Sequence, residues 1–145
     1  MLKLQTKKSN IRKLPLIVII GILSLNLNAQ EIHSEYKFKK EKKKSMWNYI
    51  ELDSLVLYKN GTFYRNKFYH YHQINYSEYK GNWKIKNGIL LLEITKKNTN
   101  KTNKNWREEK GIYKYLIKRK KIIPFDGFEF YSDKKLKRKK TKNGC

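Results

Sequence analysis

The chain has 145 residues, 35 Lys+Arg against 12 Asp+Glu, and a single cysteine, the final residue Cys145. One thiol excludes an internal disulfide, so stability has to come from a hydrophobic core. The formal charge of +23 would attract nucleic acid, anionic lipid or acidic polysaccharide. Only Arg12, Arg65, Arg107, Arg119 and Arg138 are arginines, however, and arginine is the residue suited to bidentate phosphate and guanine contacts. A specific nucleic-acid reader is therefore not expected. Lys, Asn, Ile and Tyr are jointly abundant, as AT-rich coding produces, so part of the charge needs no selected partner.

The first 13 residues carry Lys3, Lys7, Lys8, Arg12 and Lys13 and no acid, ahead of an apolar run from Leu14 to Leu27 and a small residue at Ala29. A basic region, a short apolar region and a small residue make a signal peptide over 1–29, with cleavage expected between Ala29 and Gln30. The run is short for a membrane span of about 20 residues. The large Leu27 at the −3 position leaves an uncleaved anchor as the alternative. No cysteine follows at a lipid-attachment position. Export to the periplasm, the outer envelope surface or the medium is expected, with no stable transmembrane span after cleavage. Removing 29 of 145 residues leaves 116, which suits one small domain. Five cations leave with the leader, so the mature chain keeps 30 against 12, near +18.

From 30 to 45 the chain is basic, with Lys37, Lys39, Lys40, Lys42, Lys43 and Lys44 around Tyr36 and Phe38. The alternation of Tyr36 and Phe38 permits a short strand, but the lysine run favours a solvated N-terminal arm. Residues 46–133 carry the β signals. Trp47, Tyr49, Ile50, Leu52, Leu55, Val56, Leu57 and Tyr58 are β-branched and aromatic enough for one or two strands. Asn60-Gly61 then predicts a three-residue loop with Gly61 left-handed, pairing Leu57 with Phe63. From Phe63 to Ile74 one extended run would put Phe68, His70, His72 and Ile74 on one face, with Asn75 to Lys80 a polar connection. Asn87-Gly88 predicts a two-residue type I′ turn opposing Ile85 to Leu90 and Trp83 to Leu92. That register puts Trp83, Ile85, Leu90, Leu92 and Ile94 on one face, and with Leu57 and Phe63 they are the expected core. Lys96 to Asn105 has no apolar residue and reads as a long loop. Tyr113, Tyr115 and Ile117 mark another strand. Pro124 lacks an amide donor and disfavours a central strand, while Phe125 to Tyr131 around Asp126-Gly127 suggests a last turn and edge strand. Residues 134–145 read as a basic disordered tail.

Catalytic signatures are missing. No Gly-rich phosphate loop, nucleophile elbow, zinc-protease helix or Cys-x-x-Cys pair occurs. His70 and His72 at i and i+2 could reach one metal ion, but a stable site needs three or four ligands, and the other histidine is the distant His33. They read instead as polar aromatic residues of a half-exposed strand, so no metal or cofactor site is expected. Glu51 and Asp53 share a strand face, and Glu108 and Glu109 are adjacent. Both pairs read as solvated strand residues more readily than as an acid and base. The chain is not expected to be an enzyme.

The segments Ser54-Leu55-Val56-Leu57-Tyr58-Lys59-Asn60-Gly61-Thr62-Phe63 and Tyr79-Lys80-Gly81-Asn82-Trp83-Lys84-Ile85-Lys86-Asn87-Gly88-Ile89-Leu90-Leu91-Leu92 resemble the repeated pattern of small exported bacterial lipocalin-like proteins. In that pattern an apolar strand, an Asn/Asp-Gly-Thr-Phe turn and a Gly-x-Trp-x-Ile strand lead into a Leu-rich strand. The resemblance covers roughly residues 54–95 and implies an antiparallel meander curling into a small barrel or half-barrel, mostly of unassigned function. It carries no catalytic residues. The expectation is an all-β protein of about six to eight strands after a signal-peptide helix, a non-enzymatic module holding a small apolar or aromatic ligand. The alternatives are a polyanion binder using Lys39 to Lys44 and Lys134 to Lys142, and a secreted hydrolase.

Overall fold

Two Asn-Gly dipeptides set the registers of the first half of the fold. A computed structural model of the protein describes residues 30–44, 47–128 and 133–140. The expected signal peptide at 1–29, Phe130 and Tyr131, and tail residues 141–145 lie outside the described residues. Eight strands are described: β1 (Ile32–Lys44), β2 (Trp47–Tyr58), β3 (Thr62–His70), β4 (Ile74–Lys86), β5 (Ile89–Asn98), β6 (Arg107–Lys118), β7 (Lys121–Gly127) and β8 (Leu136–Arg138). Each pairs antiparallel with the next, and β8 returns to β1, so the meander is a closed barrel. Closure removes the sheet edges that an open meander would expose.

Both turns take the predicted geometry. Ile85 opposes Leu90 and Trp83 opposes Leu92, with Asn87 and Gly88 at φ 51° and 75°. Leu57 opposes Phe63, and Gly61 sits at φ 82° with its amide donating to the Tyr58 carbonyl. Positive φ is what glycine and asparagine tolerate best. The core runs along the interior through Leu55, Leu57, Phe63, Tyr79, Leu90, Leu92, Ile94, Tyr113, Tyr115 and Ile122. Trp83 packs half-buried against it and donates Nε1 to the Tyr58 carbonyl at 2.8 Å.

Several expectations are corrected. Ile85 shares the core face but is 52% exposed, because it lies one pair from the turn and the core ends beneath it. The basic arm at 30–45 is strand β1: Tyr36 is buried, and its neighbours Lys37 and Lys39 point to solvent, so the lysines cover the outside of a paired strand. The tail contributes β8, whose Leu136 is fully buried opposite Ile122. The β domain therefore extends beyond 46–133 at both ends. The run Phe63 to Ile74 is broken by a turn at 71–73, and Asn75 to Lys80 belongs to β4. β5 continues through Asn98, which is buried. Pro124 lies inside β7, beyond the reach of β8, which pairs only with Lys121 and Ile122; its missing amide costs no ladder bond on that side.

Candidate functional site

The inward face changes character along the barrel axis. Toward the turns at 59–61, 87–88 and 119–120 it is apolar, with Leu57 opposite Phe63. One step further in, Leu55 opposes Arg65 and Arg65 opposes Tyr79. Beyond that level, Asp53, Lys67 and Ser77 stand in register, then Glu51, Tyr69 and Asn75. These polar positions continue the same strand faces as Leu55 and Phe63, and a cavity of about 450 Å³ opens among them, walled by Asp53, Lys67, Tyr69, Ser77, Tyr79 and Lys134. We refer to this end of the barrel as the mouth.

An ionic cluster forms its floor. Arg65, fully buried, donates Nε to Asp53 Oδ1 at 3.0 Å and Nη2 to Asp53 Oδ2 at 2.6 Å and to Asp133 Oδ1 at 3.0 Å. Lys67 Nζ donates to the same Asp133 oxygen at 3.1 Å, and the Tyr115 hydroxyl to Asp133 Oδ2 at 2.8 Å. The guanidinium lies 4.3 Å from the centre of the Tyr113 ring, a favourable cation–π contact. Burial works against the charged guanidinium, but Tyr115, Asp53 and Asp133 outweigh it and hold the arginine protonated. Burial likewise holds the Tyr115 hydroxyl protonated well above its ordinary range. Arg65 Nη1 is the one buried side-chain nitrogen or oxygen among the described residues that has no hydrogen-bond partner.

No family model matches the chain, and no curated protein or solved structure matches it.

At the rim, Lys134 approaches Glu51 at 3.4 Å, and the Tyr49 hydroxyl donates to the same carboxylate. That bond and partial burial push the Tyr49 pKa up to about 12. Tyr49 meets Tyr69 edge-on at 5.6 Å and Tyr71 at 6.2 Å, so the rim is aromatic. Glu51, Asp53 and Asp133 face Arg65, Lys67 and Lys134: three carboxylates against three cations. Lys40 and Lys42 add two cations beside the rim tyrosines, the Lys40 ammonium 5.4 Å from the centre of the Tyr49 ring, so charge is matched within the cluster and positive at the rim.

The sequence-derived candidates distribute as follows. Glu51 and Asp53 are brought together at the mouth, not left on a solvated face, and Asp53 is buried. His70 ends β3, His72 lies in the turn with its ring 3.9 Å from Tyr71, and His33 stacks on Trp83 at the far end. Among the described residues no group of three His, Cys, Asp or Glu side chains could hold a metal ion. Glu108 is exposed and opposes Lys96. Lys39 to Lys44 extend along β1, while Lys134 turns to the mouth and Lys137 joins β8. The Arg65–Asp53–Asp133 cluster was missed: its partners lie 12 and 68 residues apart. The available signal was a charged residue continuing an apolar face, Asp53 after Leu57 and Leu55, and Arg65 after Phe63.

A second buried carboxylate sits on the outer wall. Glu78 accepts from the Tyr64 hydroxyl and, at 2.7 Å, from Asn98 Nδ2. Lys104 lies 3.7 Å away, and Trp106 beyond it covers the Lys80 ammonium at 4.2 Å. Burial would raise the Glu78 pKa, but the hydrogen bonds from Tyr64, Asn98 and Tyr76 and the Lys104 charge lower it overall.

Proposed function

We propose that the protein is an exported, non-enzymatic lipocalin-like barrel that binds a small, uncharged aromatic molecule with polar substituents in its mouth. One observation carries the reading: beyond Arg65 the interior turns from apolar to polar and aromatic, and a cavity of about 450 Å³ opens there, with Leu52 and Phe68 adding apolar surface to its wall. A barrel serving stability alone would fill both ends with apolar side chains, since a buried ion pair is seldom more stabilising than a packed hydrophobic replacement. The rim tyrosines offer ring faces and edges, Ser77 and Asn75 offer neutral polar groups, and the carboxylates and cations around Arg65 are matched to one another, which suits an uncharged ligand beside them. The carboxylates support a binding role over an acid–base one: both Asp53 oxygens accept from Arg65, and Glu51 is engaged by Tyr49 and Lys134.

The test is a fragment screen of neutral aromatic compounds followed by amide chemical shifts. Hits are expected to shift Tyr69, Ser77 and Tyr79, and Ser77→Trp, which fills the cavity, is expected to abolish those shifts while the fold is retained. Hits that map outside the mouth, or that survive Ser77→Trp unchanged, would refute the reading. The export component is tested by fractionation and intact mass: a species beginning at Gln30 outside the cytoplasm supports it, and a full-length membrane-bound species overturns cleavage.

A further inference from the structure

Along the seam where the barrel closes, lysines stand in register on successive strands. Lys118 opposes Lys121 across β6 and β7, Lys121 opposes Lys137 across β7 and β8, and Lys137 opposes Lys37 across β8 and β1. Four exposed lysines thus stand side by side on four adjacent strands, over the seam where the barrel closes. With strands about 4.8 Å apart, the row is about 14 Å long. Like charges directly opposite on neighbouring strands destabilise a sheet. Lys37 has Glu35 at 2.9 Å, but among the described residues Lys118, Lys121 and Lys137 have no acidic partner.

The turn above the row is costly in a second way. Arg119 adopts φ 41°, a left-handed conformation that a long side chain adopts at a penalty. The two-residue turn between β4 and β5 gives its positive-φ positions to Asn87 and Gly88, whereas at 119–120 the single positive-φ position falls to Arg119. An AT-rich coding bias supplies asparagine freely, so bias does not account for an arginine here. Strain of this kind concentrates at functional positions. Between this turn and β8 lies an open cleft of about 480 Å³ whose described lining is Lys118 to Lys121 with Lys137, Arg138 and Lys140, every one a cation. Of the three arginines outside the leader and the buried cluster, two are in it.

We propose that this seam is a binding site for a linear acidic polysaccharide laid across the strands, one carboxylate or sulfate per lysine. The like-charge repulsion along the row is relieved when an anionic chain neutralises it, and the left-handed turn holds Arg119 beside the same cleft. The cleft's described lining has no aromatic ring on which nucleic-acid bases would stack, and no apolar side chain that would enter a lipid surface. Cations one strand apart suit anionic groups carried on successive sugars better than the adjoining groups of a phosphate chain.

The test is anisotropy with a labelled sulfated heparin oligosaccharide and a polygalacturonate oligomer, against oligo(dT) and anionic vesicles, near physiological salt. The variants are K118Q/K121Q/K137Q at the seam and K43Q/K101Q/K110Q, which removes the same charge elsewhere. The seam triple is expected to weaken oligosaccharide binding at least tenfold and to flatten its salt dependence, while the control triple changes it less than threefold. R119G is expected to raise the melting temperature while weakening binding, which a purely structural turn would not do. Equal losses in the two triples would overturn the proposal, since net charge alone would then govern binding. So would tighter binding of oligo(dT) or vesicles through the same lysines, or R119G with unchanged affinity.

Discussion

Asp53→Ala tests whether the buried cluster behaves as the geometry demands. It removes both acceptors of the bidentate pair with Arg65, at 3.0 and 2.6 Å, leaving a fully buried guanidinium with Asp133 alone. Two charge-assisted bonds at about 1.5–3 kcal/mol each give a loss of about 3–5 kcal/mol, the range found when one partner of a buried pair is deleted. With a urea slope of about 1.5 kcal/mol/M, the midpoint falls by about 2–3 M. The double variant D53L/R65M removes the charge and its partner together while Asp133 keeps Lys67 and Tyr115. It is expected within about 1 kcal/mol of the parent. Urea titrations of parent, both singles and the double supply the cycle. A loss under about 1 kcal/mol for Asp53→Ala, or a double variant less stable than that single, would show that Arg65 is not held as a desolvated cation. If the double variant folds and no longer binds mouth ligands, the cluster is retained for recognition.

Three further outcomes are expected. Gly81→Ala places a Cβ 1.8 Å from the Glu93 carbonyl oxygen and 2.9 Å from the Phe63 ring, at the irregularity between Lys80 and Gly81; it should cost about 3 kcal/mol or more, and a melting temperature near the parent's would contradict the packing. Glu78 has a folded pKa below its ordinary 4.5, so the unfolded chain binds more protons in that window, and the stabilisation is lost as pH falls through the lowered value. Glu78→Gln should therefore flatten the acid limb of the stability profile below about pH 4.5; an unchanged limb would assign it to the other depressed carboxylates, Glu31, Glu35, Glu41 and Asp126. Trp83→Phe deletes the bond to the Tyr58 carbonyl and should cost about 1 kcal/mol, read as a shift in the urea midpoint; no shift would mean that the bond is exchanged for water.

What was legible in the sequence was local. Asn60-Gly61 and Asn87-Gly88 fixed two hairpins because the turn dipeptide and the apolar parity on each side agree, and parity errors of one residue would have exposed Leu90 and Leu92. The closing strands were illegible for a physical reason. β1 and β8 are flanked by lysines, and a strand inward on alternate residues needs only Tyr36 and Leu136 to be buried. Charge composition hides such sparse anchors, and the β1–β8 pairing joins residues about a hundred positions apart. The mouth was half legible: Glu51 and Asp53 were seen on one face, but their burial depends on Arg65, Lys134 and Asp133, which no spacing relates. The polarity of Asn75 to Lys80 suggests a connection, whereas Tyr64, Asn98 and Lys104 satisfy Glu78 and let a polar strand be buried.

The placement of charge separates the two ends of the barrel. A uniform excess of lysine, as coding bias would produce, predicts cations wherever the surface tolerates them and asparagine or glycine wherever the backbone demands positive φ. The second expectation holds at Asn87, Gly88 and Gly61 and fails at Arg119. The first holds along β1, where Lys37 and Lys39 each find a glutamate two residues away, and fails at Lys118, Lys121 and Lys137, which stand in register without such relief among the described residues. The cluster at the mouth departs in the other direction: Glu51, Asp53 and Asp133 are matched to Arg65, Lys67 and Lys134, and the unmatched Lys40 and Lys42 stay at the rim. Where charge is balanced, a neutral ligand loses least on entering, because no unpaired ion has to be stripped of water. Where it is unbalanced and strained, an anionic chain gains most on arriving. Under the two proposals charge is matched at one site and in excess at the other, and a variant in either should leave binding at the other unchanged.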